Sequence, residues 1–272
     1  MTSALIGNTG FVGTNLARQF PFDDVYNSSN IGEIAGKSYD LVVSAGTRAD
    51  SHWVNRHPDQ DRAAVEALAE SLSAVTIDKL VLISTVCVYP ALPRGDEDTV
   101  VDTARLTPYG RHRRWLEDVL AAVHNTVSVR LPQLFGRGIK KGLIFDLLHR
   151  RGLEHIDPDD AFQYYDLNWL WRDICTSLSH GLRRVNLATP PIAHRRVADL
   201  FGIELDHRHR PTASRDQFSR MYTRNMVTRY ADLFGSKGDY VVTLEQEIDA
   251  IRAFRDEVGA AELSPSMIGR SA

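Results

Sequence analysis

The chain has 272 residues, 43% of them hydrophobic and 25% charged, with a formal net charge of −3. That length allows one large domain or two lobes around a sizeable core, and the charge balance calls for neither nucleic acid nor a membrane surface as partner. No apolar run approaches the ~20 residues of a spanning helix, and the two cysteines, Cys87 and Cys175, make neither a disulfide framework nor a metal-ligand spacing. A cytoplasmic protein without a metal is expected.

Ala4-Leu5-Ile6 reads as a buried first strand. Gly7, Gly10 and Gly13 follow at three-residue spacing, and Phe11, Val12, Leu16 and Ala17 give the apolar face of a helix. A strand, a glycine turn and a helix N-terminus together make a pyrophosphate site, because free backbone N–H groups and the helix dipole face the turn. Glycine serves ordinary turns as well, so it is the strand–glycine–helix context that marks Gly7, Thr9, Gly10, Phe11, Val12 and Gly13 as dinucleotide contacts. Asp24–Tyr26 makes a short second strand ending in Asn27-Ser28-Ser29-Asn30, and Tyr39–Ser44 a third, closed by Ala45-Gly46. A helix over 58–75, an apolar strand over 79–84, a helix over 108–123 and a strand over 126–131 follow. Strand and helix alternating at this rhythm predict an α/β fold, a doubly wound parallel sheet of Rossmann type over residues 1–136.

Beyond Gly136 the pattern changes. Helices are expected over 142–150, 167–178 and 192–201, and strands over 162–165 and 185–188. A last helix runs over 243–258, opened by a capping box from Thr243 to Gln246. Residues 137–272 are read as a smaller substrate lobe, interleaved with the first. His194 heads a helix in His194-Arg195-Arg196 and is expected on its surface. The run Phe162–Trp171 is aromatic enough to line a pocket but reads more readily as core. Arg137, Lys140 and Lys141, with His207–Arg210 and Arg215, Arg220, Arg224 and Arg229, are candidates for meeting a diphosphate or are simply solvated charge.

Reactive side chains gather at the carboxyl ends of strands, where open α/β sheets bind ligands. They lie in Ser84-Thr85-Val86-Cys87-Val88-Tyr89-Pro90, in Tyr109-Gly110-Arg111-His112-Arg113, and in the run from Arg130 to Gly136. Tyr109 and Arg113 are four apart and share one helical face. A tyrosine with its ordinary pKa near ~10 is a poor acid–base group at neutral pH, and a cation one turn away favours the phenolate. Thr85 is placed to hold the substrate oxygen that such a tyrosine serves.

This set resembles the extended short-chain dehydrogenase/reductase family, also called the NAD-dependent epimerase/dehydratase family. The resemblance rests on Gly7-x-x-Gly10-x-x-Gly13, on Ser84-Thr85 before a Val-Tyr pair, on Tyr109-x-x-x-Arg113 and on the Arg-Leu-Pro-x-x-Phe-Gly run, and it covers roughly residues 1–140. It implies that Tyr109 exchanges a proton with a substrate hydroxyl or carbonyl while a nicotinamide gives or takes a hydride. Thr85 would orient that oxygen, and Pro132 to Leu134 would lie beside the nicotinamide. Ala45 and Gly46 would line the cofactor. The family's usual residue four after the tyrosine is a lysine that binds the ribose; here it is Arg113, which keeps the charge but is planar and wider. Cys87 stands where GDP-fucose synthases, in a similar Ser-Ser-Cys-Ile-Tyr-Pro segment, carry an acid–base cysteine; a small buried residue is the plainer reading. The family's dehydratases have Asp-Glu where Val86-Cys87 stands, which disfavours dehydration.

An acidic residue at the end of the second strand would take the ribose hydroxyl of NAD. Asn27, Ser28 and Ser29 offer none, so NADP is the expected cofactor, with NAD as the alternative. The expected function is an NAD(P)-dependent oxidoreductase or epimerase acting on a sugar nucleotide or a related hydroxy or keto compound. A dinucleotide-binding sensor without turnover is the alternative. Pairing as a homodimer is implied by the resemblance alone.

Overall fold

The computed structural model describes residues 1–205 and 225–262. Its centre is a six-stranded sheet built from β1 (Ser3–Ile6), β2 (Asp24–Tyr26), β3 (Ser38–Ser44), β4 (Thr76–Thr85), β6 (Thr126–Leu131) and β10 (Arg184–Asn186). The spatial order is β10-β6-β4-β3-β1-β2, and every neighbouring pair is parallel. Strands buried on both faces favour continuous apolar runs, and Leu80 to Ile83 supply one; β6 is buried along its whole length although Ser128 and Arg130 alternate with Val127, Val129 and Leu131. The intervening strand β5 (Arg94–Gly95) lies outside this sheet and pairs with β12 (Asn225–Met226).

Helices cover both faces. On one, α1 (Phe11–Gln19) and α6 (Leu170–Ser179) bury Leu16, Leu170 and Ile174 against Leu5, Val43 and Val129. On the other, α3 (Pro58–Ser73) and α4 (Pro108–Val123) bury Val65, Leu72, Leu116 and Leu120 against Ala4, Val42 and Leu82. A short helix, α2 (Ser51–Arg56), precedes α3 and is capped by the Asp50 side chain, which accepts the Trp53 N–H.

Two features of the sheet set the site. The chain leaves β1 for β2 on one side and returns to β3 on the other, which opens a crevice above the carboxyl ends of β1 and β3. Ser44, the last residue of β3, pairs with Leu82, yet β4 continues to Thr85, where it pairs with Leu131. At ~3.3 Å per residue, β4 and β6 therefore stand roughly 10 Å above the crevice floor.

The second lobe gathers on α5 (Leu143–Leu148), α7 (His194–Leu200) and α8 (Leu244–Glu262), whose core includes Ile144, Leu147, Val197, Ile251 and Phe254. The Phe135 and Phe254 rings lie 5.7 Å apart. The expected capping box is present, with the Thr243 N–H donating to Gln246 Oε1 and the Gln246 N–H to Thr243 Oγ1. Buried Glu247 accepts the Tyr164 N–H at 2.8 Å. The central sheet is completed from beyond residue 136, since β10 pairs with β6.

Two expectations change. The strand expected over 162–165 is two strands, β8 (Ala161–Phe162) and β9 (Tyr164–Asp166), pairing with β11 (Ile192–Ala193) and β7 (Gln133–Phe135). Gln163 separates them because its side chain bonds to Met226 N–H and to the carbonyls of Thr189 and Met226. His194 is buried, not on the surface: its Nδ1 donates to the Asp157 carbonyl and its ring meets the edge of Phe162. Burial pulls its pKa down to about 4. The aromatic run is core, with Tyr164, Tyr165, Leu167 and Leu170 all buried. His207–Arg210, Arg215, Arg220 and Arg224 lie outside the described residues. Among the described residues, no helix is long and apolar enough to cross a membrane.

Candidate active site

The crevice floor is made of backbone pressed on backbone. Gly7 has φ +84°, and a Cβ there would sit 2.4 Å from the Ala45 carbonyl oxygen. A Cβ on Gly13 would sit 2.0 Å from the Gly7 carbonyl oxygen. Only glycine lets α1 lie this close over the turn and lets the turn lie against Ala45, with Gly46 exposed beside it. The first helical bond of α1 runs from the Thr14 N–H to the Gly10 carbonyl. Phe11, Val12 and Gly13 thus head the helix with N–H groups that have no partner within it. Thr9 and Gly10 are exposed at the lip, and Phe11 and Val12 are half-buried. A dinucleotide's pyrophosphate fits this floor, which offers helix-terminal donors and no side-chain bulk.

The turn after β2 is closed on itself. Asn27 Oδ1 accepts from the Ser29 N–H and hydroxyl, and Asn30 Oδ1 accepts the Asn27 N–H. Ser28 is exposed, and no carboxylate stands in the turn.

On the higher ledge the two adjacent hydroxyls divide. Ser84 turns inward and donates to Glu117 Oε1 at 2.6 Å. Thr85 is half-exposed and accepts the Cys87 N–H at 3.1 Å, which leaves its hydroxyl hydrogen to donate outward. Below them Glu117 binds Arg130 through both oxygens, at 3.0 Å and 2.6 Å, and Arg130 Nη1 donates to the Tyr89 hydroxyl. That hydroxyl lies 3.0 Å from Asn186 Oδ1 on β10. The Asn186 N–H in turn donates to Glu97. Pro132 and Leu134 follow directly on Leu131 and are half-buried.

Tyr109 is held in the first turn of α4. A Cβ on Gly110 would lie 2.0 Å from the Cys87 carbonyl oxygen, so the head of α4 is seated on the turn that follows Thr85. The Tyr109 N–H donates to Asn55 Oδ1 of α2 at 3.0 Å. Arg113 lies beneath the phenol, its Cζ 4.2 Å from the ring centroid. The family resemblance implies a place at the ribose for Arg113; the structure shows its two Nη groups engaged, both on Asp61 of α3 and Nη2 also on the Arg48 carbonyl. His112 Nδ1 donates to the same Asp61 at 2.7 Å. Arg113 and Asp61 are 2% and 3% exposed. Cys87 is buried inside its turn.

Of the charged residues weighed for a diphosphate, Arg137 and Lys140 are exposed. Lys141 reaches across from the second lobe to the Ala49 carbonyl at 3.2 Å and to within 3.8 Å of Asp50. Arg229 pairs with Asp98.

Asp61, Asn55 and Glu117 are absent from the sequence reading. Asp61 shares the apolar stripe of Val65, Ala69 and Leu72, and Glu117 that of Leu116 and Leu120. An acidic residue on a core-facing stripe needs a buried partner. That was the available signal.

The profile of the NAD dependent epimerase/dehydratase family matches residues 20–155, half of the chain and the half that holds Thr85, Tyr109 and Pro132. The chain belongs to this family. No curated protein matches it in sequence. Among solved structures it is similar to a dTDP-4-dehydrorhamnose reductase from Clostridium acetobutylicum, at 13% identity and a TM-score of 0.71, covering 95% of this chain and 100% of that one. It is also similar to RMD from Pseudomonas aeruginosa, solved with NADPH, at 17% identity and a TM-score of 0.69 over 95% and 100% of the two chains. A third is a UDP-glucuronic acid 4-epimerase from Bacillus cereus, solved with NAD, at 14% identity and a TM-score of 0.66 over 95% and 96%. At such identities the likeness is one of fold.

Proposed function

We propose that the chain is a nicotinamide-dinucleotide-dependent oxidoreductase or epimerase acting on a sugar nucleotide. The carrying observation is the seating of α4 on the turn after Thr85, which brings Tyr109 and an outward hydroxyl to the sheet end that also holds the glycine cradle. Gly7, Gly10 and Gly13, with the N–H groups of Phe11, Val12 and Gly13, would hold the pyrophosphate. Ala45, Gly46, Pro132 and Leu134 would flank the path up to the ledge. Bound there, the nicotinamide supplies a hydride donor or acceptor. Thr85 donates its hydroxyl hydrogen to the substrate oxygen and fixes it. Tyr109 gives that oxygen a proton when a carbonyl is reduced and removes one when an alcohol is oxidised. The buried Cys87 serves packing in this reading.

A sugar nucleotide is the substrate class this reading favours, because two of the similar solved structures are by name a dTDP-4-dehydrorhamnose reductase and a UDP-glucuronic acid 4-epimerase. NADP is favoured over NAD because no carboxylate in the Asn27–Asn30 turn would repel a ribose phosphate.

The test is hydride exchange between a labelled nicotinamide and dTDP- or UDP-4-keto sugars. Tyr109→Phe is expected to lower the rate by about 100-fold or more while leaving dinucleotide binding in place. Intact turnover in Tyr109→Phe would sink the assignment. Binding without turnover in the unaltered chain, across that substrate panel, would favour the sensor.

A further inference from the structure

We propose that Asp61 is a positioning residue for Tyr109: it holds the Arg113 guanidinium flat beneath the phenol ring and balances its charge there. Arg113 then serves the tyrosine from below and is not the group that clasps the ribose. This rests on the reading of Tyr109 as the acid–base residue.

The geometry constrains Arg113 from three sides. Asp61 takes it bidentately from α3, the Arg48 carbonyl takes Nη2 from the loop after β3, and the Tyr109 ring covers its face. Swinging the guanidinium out to a ligand would leave a 3%-exposed carboxylate with His112 alone, and an uncompensated buried charge is strongly unfavourable. The planar fork of arginine matches a carboxylate in two bonds, which the single ammonium of a lysine cannot do. Asp61 therefore accounts for an arginine at a position where the sequence resemblance leads one to expect lysine.

The charges under the phenol form a compact set. Arg113 and His112 come from α4 and Asp61 from α3, while α2 contributes the neutral Asn55 at the Tyr109 amide. The guanidinium favours the phenolate; the carboxylate behind it weakens that effect. Removing one or the other must move the tyrosine in opposite directions. A purely structural brace would lower activity uniformly and move nothing.

The test uses the full chain without substrate. Tyrosinate absorbance is followed against pH in each protein and in the same protein carrying Tyr109→Phe, and the difference isolates Tyr109. Asp61→Asn should lower the midpoint by about one pH unit, because Arg113 keeps its place and loses its counter-charge. Arg113→Gln should raise it by a similar amount and change the Kd of NADPH by no more than about threefold. His112→Asn, as a control for the second group on Asp61, should leave the direction of the Asp61→Asn shift unaltered. A midpoint that stays put or rises in Asp61→Asn overturns the proposal. So does a loss of NADPH affinity of about tenfold or more in Arg113→Gln, which would return Arg113 to the ribose. Should Asp61→Asn fail to fold, Arg113→Gln decides alone, and an unmoved midpoint there counts against the proposal. Failure of the functional reading shows separately, as intact turnover in Tyr109→Phe.

Discussion

Two buried arginine–carboxylate pairs lie one helical turn apart on α4, and they do different work. Beneath Thr85, Arg130 and Glu117 close a network in which all three guanidinium nitrogens and both carboxylate oxygens have partners. Beneath Tyr109, Arg113 and Asp61 leave Nε without a partner and face an aromatic ring. The first pair ties three strands together, since Ser84 lies on β4, Arg130 on β6 and, through Tyr89, Asn186 on β10. The second joins two helices and a loop at the edge of the crevice. Burial and charge are the same in both; what each pair touches differs, strands of the core in the first and the ring of Tyr109 in the second.

The widest gap should appear on removing each carboxylate. Glu117→Gln strips the charge from three donors in the core, and a broken buried pair costs about 3–5 kcal/mol, read by urea denaturation. Asp61→Asn should cost less, about 2 kcal/mol, because the Arg48 carbonyl stays and the asparagine oxygen still accepts one guanidinium hydrogen. Equal losses would erase the distinction.

A buried titratable group whose shift is dominated by desolvation sharpens it from the other side. His194 has an ordinary pKa of 6.5 and is brought to about 4 by burial. The folded state thus resists its protonation, so its stability is complete above pH 6.5 and is lost as pH falls toward 4. Between pH 7 and pH 5 the unaltered protein should lose about 2 kcal/mol more than His194→Phe. Asp166, pushed up to about 6 by burial, works with the opposite sign, since folding is penalised as pH rises through 6. Being present in both proteins, it cancels in the difference. The smallest effect belongs to Lys141, exposed in its contact with Asp50; Lys141→Ala should change stability by no more than ~0.5 kcal/mol.

What the sequence made readable was whatever is encoded locally. The glycine turn, the strands β4 and β6 and the ends of α4 follow from spacing and propensity within a few residues, and the structure keeps them: Pro108–Val123 and Thr126–Leu131 stand as expected. What escaped depends on residues far apart. Asp61 and Arg113 are 52 positions apart in the chain, and in the row Pro58-Asp59-Gln60-Asp61 the sequence shows two acids at a helix start, where either suits the dipole. α2 spans six residues, too few to display a period. His194 beside two arginines reads as surface, and the Asp157 carbonyl, 37 residues away, and the Phe162 ring hold it inside. Gln163 divides a run of strand-forming residues because its partners at Thr189 and Met226 arrive from elsewhere.

The packing of α8 orders events during synthesis. Phe254 meets Phe135 across more than a hundred residues of chain, and Glu247 caps Tyr164 from the same helix. Until that helix has left the ribosome, the apolar surface around Ile144, Leu147 and Val197 lacks the cover of Ile248, Ile251 and Phe254. The nascent chain must wait with its glycine turn and all six strands of the central sheet already synthesised, and a non-local contact of this kind is slow to form and exposed to misassembly while it waits.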